Sequence, residues 1–488
     1  MASGQLRTTV PESSKLARFV LLPERGMRST ALLQSTLAQS IAPSIRAEMT
    51  ILDTIHEDGA KLVEMTSAAA AKFGPNHPGL RLVPLVYYRT AVERYRVEYS
   101  VAAVAISPGP AVSIRIVSRS DGSPVSGAKV VAFTNFARRQ GAEDNTDANG
   151  DVILNLGGVA TLERVYVYPR ANFWSLRKDA VATGGTIQLD VLPVDPSYRD
   201  ELQSFYGTSP LHAGTGVTVG VVDTGVGPHR DITVIGGENT VVGENSTDFG
   251  DNGKGHGTHV AGIIAGAGAP PNGMRGLGPS VRLFSYRVFG AGGGDADNYS
   301  IAKAIDRAVA DGCDLINLSL GAQGQTDPAV SQALADAVQK GCLPIIAAGN
   351  DNRKPVSAPG NDRSALAISA LGRKNTFPSD SVEADYVARP SGKDNNNFVA
   401  SFSNMGSQIA FIGCGVGVVS TVLGGYVPMS GTSMACPAVT GRTAALLAGQ
   451  LGILDAARDG ARCAAIKQMI ITELLGFGAN FEGQGFIK

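Results

Sequence analysis

An aspartate, a histidine and a serine occupy settings in this chain that suit one kind of chemistry. Asp223 ends the apolar, β-branched run Val217-Thr218-Val219-Gly220-Val221-Val222, which reads as a buried strand, and Thr224-Gly225 follows it. His256 lies in the glycine-rich turn Gly255-His256-Gly257-Thr258-His259, which opens a small-residue helix. Ser433 stands in Ser430-Gly431-Thr432-Ser433-Met434-Ala435, a tight turn followed by an Ala-rich run, 438–451, that reads as a helix. By itself such a serine is an ordinary N-cap. Together the three groups are the parts of an activated nucleophile. Serine attacks, histidine takes its proton, and aspartate orients the imidazole and stabilises its charged form. Asn350, at the end of Ile345-Ile346-Ala347-Ala348-Gly349, supplies a side-chain amide that could donate to a developing oxyanion.

Asp-Thr-Gly, His-Gly-Thr-His, Ala-Ala-Gly-Asn and Gly-Thr-Ser-Met-Ala, in this order, resemble the motifs of the subtilisin-like serine proteases, the subtilases. The resemblance runs from about residue 202 to the C-terminus. It implies Asp223 as the orienting acid, His256 as the base, Ser433 as the nucleophile and Asn350 as the oxyanion donor, with His259 structural. It also implies that Asn317 to Gly321 is the strand edge that pairs with extended substrate, so that Ser319, Leu320, Gly321, Ala348 and Gly349 bind substrate. The expected activity is a serine endopeptidase acting on proteins or peptides through an acyl-enzyme. Two other readings stay open at this point: a non-proteolytic scaffold, and an esterase or ligase in which another nucleophile accepts the acyl group.

These residues need a frame. At 488 residues and 43% hydrophobic content, the chain exceeds one ordinary domain and can bury sizeable cores. Three regions differ in pattern. Residues 1–96 read as β-α-β-β-α-β, with strands at 16–22, 48–55, 60–65 and 80–88 and helices at 30–42 and 67–73, the second capped by Ser67. That order is ferredoxin-like and resembles a subtilase inhibitory propeptide. Residues 97–196 carry short strands at 112–117, 129–134, 151–156, 164–168 and 186–192, separated by Gly/Asp/Asn turns. They predict a small β-sandwich, similar to transthyretin-like modules, acting as a spacer or as a partner module. Trp174 falls here as core or contact. Residues 197–488 alternate apolar strands with helices and predict an α/β domain, a parallel sheet with helices on both faces and function at the carboxyl ends of the strands.

The net charge of −1 and the lack of a basic tract exclude a nucleic-acid partner, and no run approaches a membrane span. Phe19-Val20-Leu21-Leu22 is the longest apolar run near the N-terminus, too short for a secretory leader. An odd set of five scattered cysteines implies reduced, buried thiols, which favours a cytoplasmic chain, with signal-independent export left open. No cofactor is required by this chemistry. The loop 266–273 lacks the oxygen-rich side chains of the usual subtilase calcium site. The insertion 376–397, with Asp380, Glu383, Asp385 and Asp394, could hold calcium or a basic substrate residue but reads first as a solvated acidic loop. If the N-terminal region is an inhibitor, its trailing segment Tyr88 to Arg96 should run through the cleft against Asn317 to Gly321.

Overall fold

The computed structural model describes residues 15–23, 49–56, 59–77, 79–100, 111–197, 199–324, 327–388, 395–476 and 483–488. The helix expected at 30–42 and Asp394 lie outside these residues.

The largest sheet has a parallel centre in the order Val234–Asn239, Arg282–Arg287, Thr218–Asp223, Leu315–Leu318, Leu343–Ala347, Leu366–Arg373 and Ile409–Cys414. Neighbouring residues along these strands point to opposite faces, so each strand feeds two cores. Val219, Val221, Leu315 and Ile345 pack with the helices His256–Ala265 and Thr432–Ala448. Val222, Ile316, Leu318 and Ile346 pack with Asn298–Ala310 and Pro328–Gln339. Burial on both faces explains why these strands read as continuous apolar runs.

Ahead of this layer lies a four-stranded antiparallel sheet in the order Met49–Thr54, Lys61–Thr66, Leu16–Pro23, Leu80–Pro84. Helix Ser67–Asn76 covers one face through Phe73. Its cap is Thr66, whose hydroxyl accepts from the Ala69 N–H at 3.2 Å, and not Ser67 as the pattern suggested. The other face brings Val20, Leu22, Leu62 and Val83 onto Tyr299 and Ala329 of two helices that cover the large sheet. Asp53 accepts from Lys303 at 2.7 Å and from the Tyr299 hydroxyl at 3.1 Å across the same seam. The strand expected at 80–88 is two strands. The chain leaves the first sheet at Pro84, which has no N–H to extend the ladder, and Tyr87–Thr90 joins a different sheet.

Residues 99–100 and 111–197 form two sheets around one apolar core. One contains Asp151–Leu154, Val112–Ser118 and Ile187–Val191; the other contains Leu176–Ala182, Thr161–Tyr168, Lys129–Asn135, Gln140–Asn145 and the short Tyr99–Ser100. The pattern missed Gln140–Asn145, which is mostly polar, and Leu176–Ala182, where Arg177-Lys178-Asp179 interrupts the apolar residues; both are little buried and give no apolar alternation.

The acidic insertion is not a solvated loop. Asp380 pairs with Arg119 at 2.6 Å, Asp385 accepts from the Tyr166 hydroxyl at 2.8 Å, and buried Glu383 accepts from Ser175 at 2.8 Å. These carboxylates join the layer of the large sheet to the two-sheet module, and their partners lie too far away in sequence to be read locally. Trp174 settles as a contact, buried among Met274, Val419 and Tyr426. Because it is the only tryptophan, its emission reports this junction directly. In a Ser433→Ala background, Trp174→Ala should destabilise by about 3–5 kcal/mol, the range for truncating a buried large aromatic, measured by urea unfolding followed by circular dichroism.

Candidate active site

Asp223 is the last residue of its strand and is fully buried. Its Oδ1 accepts from the Thr224 N–H at 2.7 Å and lies 2.6 Å from His256 Nδ1. A carboxylate against Nδ1 makes that nitrogen the protonated one, which leaves Nε2 with its lone pair. His256 Nε2 is buried with no hydrogen-bond partner among the described residues. His256 opens its helix behind Gly255, and the Gly257 N–H donates to Thr224 Oγ1 at 2.8 Å, tying helix start to strand end.

Ser433 lies inside the helix Thr432–Ala448, which begins before the serine and not at 438. The nucleophile candidate therefore stands in the first turn, where backbone N–H groups have no intrahelical partner. Pro437 follows four residues later and cannot donate to the Ser433 carbonyl. The hydroxyl of Ser319 takes that place, donating to Ser433 O at 2.9 Å. In return the Ser433 hydroxyl donates to Ser319 O at 2.9 Å, so in this state it faces the sheet and not His256. Gly431, at φ 154°, has to lack a side chain, since a Cβ there would stand 2.3 Å from the carbonyl oxygen of Ala91.

The Asn350 amide is oriented by the same turn. Its Oδ1 accepts from the Thr432 N–H at 2.9 Å and the Thr432 hydroxyl at 2.8 Å, which turns Nδ2 toward the cleft. There it donates to the Ala91 oxygen at 2.6 Å, and the Ser433 N–H donates to the same oxygen at 3.2 Å.

Ala91 belongs to a segment threaded through the cleft. Tyr87–Thr90 pairs antiparallel with Leu320–Gly321 on one side and with Ala296–Asp297 on the other. The Ala91 N–H donates to Ser319 O at 3.2 Å, and the Glu93 N–H beyond it donates to Ser430 O at 2.8 Å. Tyr88 is buried, with its hydroxyl 2.5 Å from Asp327. The cleft measures about 1200 Å³ and is lined by His256, Asn350, Gly321 and Gly349 as well as by the segment itself.

The sequence profile described as the Subtilase family matches residues 214–486. The chain belongs to the subtilase family. Subtilisin BL of Lederbergia lenta is 37% identical over 232 residues, covering 47% of this chain and 76% of that protein. Subtilisin Savinase of the same organism is 36% identical with the same coverage, and an alkaline protease of Shouchella clausii is 36% identical over 54% of its length. The chain is thus a subtilisin-like serine endopeptidase with the α/β fold of that family.

In this subtilase Asn350 and the Ser433 N–H donate to one carbonyl, His256, paired with Asp223, lines the same cleft, and Ser319, Leu320 and Gly321 contact the threaded segment or hold Ser433. Gly349 lines the cleft. Ala348 is set behind it: its N–H goes to Ile368 O, and its carbonyl accepts from Ser357 and Asn404. Both of its backbone groups are therefore engaged within the peptidase layer and not with the threaded segment. Sequence reasoning missed Thr432 as the group that orients Asn350, and the second strand edge at Ala296–Asp297. A Ser/Thr hydroxyl or a two-residue edge carries no signal of its own. All five thiols are free and buried, and burial pushes the Cys436 thiol, within 3.1 Å of Asn317 Oδ1, well above its ordinary range. Among the described residues no three His, Cys, Asp or Glu side chains converge as metal ligands, and no helix is long and apolar enough to cross a membrane.

His259 is fully buried, with Nε2 2.9 Å from the Val427 carbonyl, and burial pushes its pKa down to about 3. An unfolded histidine takes up a proton near pH 6.5. The folded state therefore refuses a proton that the unfolded state accepts, and stability contributed here is complete above pH 6.5 and falls as pH drops toward 3. In a Ser433→Ala background, His259→Gln should flatten the fall in stability between pH 6.5 and 4. The difference in slope should approach but not exceed about 1.4 kcal/mol per pH unit in urea titrations.

Proposed function

We propose that this subtilase cleaves proteins through Asp223, His256 and Ser433 and is held inactive by its own N-terminal region. The observation that carries the reading is the seating of the Ala91 carbonyl between the Asn350 amide and the Ser433 N–H. In the reaction Ser433 Oγ attacks a peptide carbonyl and gives its proton to His256 Nε2, while Asp223 holds the imidazolium. Asn350 and the Ser433 N–H bind the oxyanion. His256 then returns the proton to the leaving amine, and water releases the acyl group. For this the Ser433 hydroxyl has to rotate from Ser319 O toward His256.

The first substrate is the chain itself. Ala91–Val92 is the bond presented, with Ala91 becoming the acyl group and Val92 the leaving amine. In this reading residues 1–96 are a ferredoxin-like inhibitory region whose last strand delivers the segment, refined to a cut after residue 91. Residues 97–196 are a β-sandwich that stays with the peptidase, 197–488, since Trp174 and the acidic insertion bind it there. Before the cut the segment runs through the cleft along its substrate edge; afterwards its short pairing with Leu320–Gly321 has to be released.

On casein, Ser433→Ala, His256→Ala or Asp223→Ala should each remove nearly all hydrolysis, and Asn350→Ala should lower it about 10²–10³-fold. Val92→Pro replaces a leaving nitrogen that makes no backbone hydrogen bond and crowds the attack, so that chain should stay full-length and cleave casein at least 100-fold more slowly. An uncut Val92→Pro chain as active as wild type would refute the inhibitory role. No metal is assigned, because Asn272 is the only residue of the loop 266–273 whose side chain carries an oxygen. EDTA should therefore leave the melting temperature unchanged, and a drop reversed by calcium would reveal a site.

A further inference from the structure

The two-sheet module packs against the threaded segment beyond the scissile position. Counting from Ala91, the fourth residue on the leaving side is Tyr95, and its ring lies in a cradle of module and peptidase side chains. Its centroid is 4.5 Å from that of Tyr166, 5.3 Å edge-on from Phe136 and 6.2 Å from Tyr386. The Arg139 guanidinium lies 4.9 Å from the Tyr95 centroid and 3.9 Å from that of Phe136. The Tyr95 N–H donates to the Tyr168 hydroxyl at 3.0 Å. The cradle is held in place by its own bonds: the Tyr166 hydroxyl bridges Asp385 at 2.8 Å and Arg164 at 3.2 Å, and Arg164 covers the far side of Phe136 at 3.8 Å. Offset and edge-on aromatic contacts with a cation over the ring are the arrangement that selects an aromatic side chain.

Resting on the catalytic reading above, we propose that this cradle is a substrate subsite that selects an aromatic residue at the fourth position after the cleaved bond. Residues 92–96 stay joined to the module after the cut, so Tyr95 has to leave the cradle before a substrate enters; the substrate then meets the same two backbone anchors, the paired donors at the carbonyl of the cleaved bond and the Ser430 carbonyl two residues later. Those anchors fix its register, so its fourth residue arrives where Tyr95 lies. The module is then a specificity element as well as a spacer, since Phe136, Arg139, Tyr166 and Tyr168 all belong to it.

The test uses the wild-type protein after activation and two internally quenched peptides with the sequence of residues 88–97, one with Tyr and one with Ala at the fourth position after the Ala–Val bond. The Tyr peptide should show about a tenfold higher kcat/KM, which corresponds to about 1.4 kcal/mol. That ratio should fall to about twofold or less in Phe136→Ala and in Arg139→Gln; the second keeps the test alive if the first fails to fold. A ratio near one in wild type, or a tenfold ratio kept in both variants, would overturn the subsite. Cleavage of either peptide by Ser433→Ala as fast as by wild type would instead overturn the catalytic reading on which the subsite rests.

Discussion

One carbonyl oxygen, that of Ala91, accepts from the Asn350 amide at 2.6 Å and from the Ser433 N–H at 3.2 Å, and the rest of the structure makes that placement possible. The two donors come from segments more than eighty residues apart. Thr432 locks one to the other by donating twice to Asn350 Oδ1. The helix that carries Ser433 N–H stays intact past Pro437 because the Ser319 hydroxyl satisfies the carbonyl that the proline cannot reach. Donors fixed before any charge develops need no reorganisation when it does, and preorganisation of this kind is where electrostatic stabilisation gains most.

The carbonyl is held at that point from both ends of its segment. Upstream, the four-stranded sheet rests on Tyr299 and Ala329, Tyr88 is buried, and Tyr87–Thr90 is paired on two sides. Downstream, Tyr95 rests against the module, and Tyr99–Ser100 pairs with Gln140–Gly141 at its edge. The module in turn is joined to the peptidase by Trp174 and by the insertion carrying Glu383 and Asp385. A segment stretched between two docked bodies is strongly positioned while it is continuous. Cutting it between them removes the upstream tether from the downstream one.

The catalytic groups were legible in the sequence because their chemistry demands particular residue types in tight glycine turns: Asp-Thr-Gly after an apolar strand, His-Gly at a helix start, Gly-Thr-Ser before another. The two-faced parallel sheet was legible for a related reason, since strands buried on both sides are apolar throughout. What the sequence hid was long-range pairing. Ser175 and Glu383 are 208 positions apart, so the acidic insertion read as a solvated loop when its carboxylates were in fact partnered. Gln140–Asn145 is a strand by pairing with Lys129–Asn135, not by its own polar composition. Helix boundaries moved for local reasons: Thr66 caps where Ser67 was expected, and the helix of Ser433 starts at Thr432 because Ser319 compensates for Pro437.

The most direct test of the account is N-terminal sequencing with intact-mass measurement of the freshly folded wild-type chain beside Ser433→Ala. The account predicts that wild type converts to a form beginning at Val92, with the module still attached, and that Ser433→Ala keeps its full mass. An active form beginning near Ser197, which would remove the module together with the N-terminal region, or an identical cut in Ser433→Ala, would contradict it.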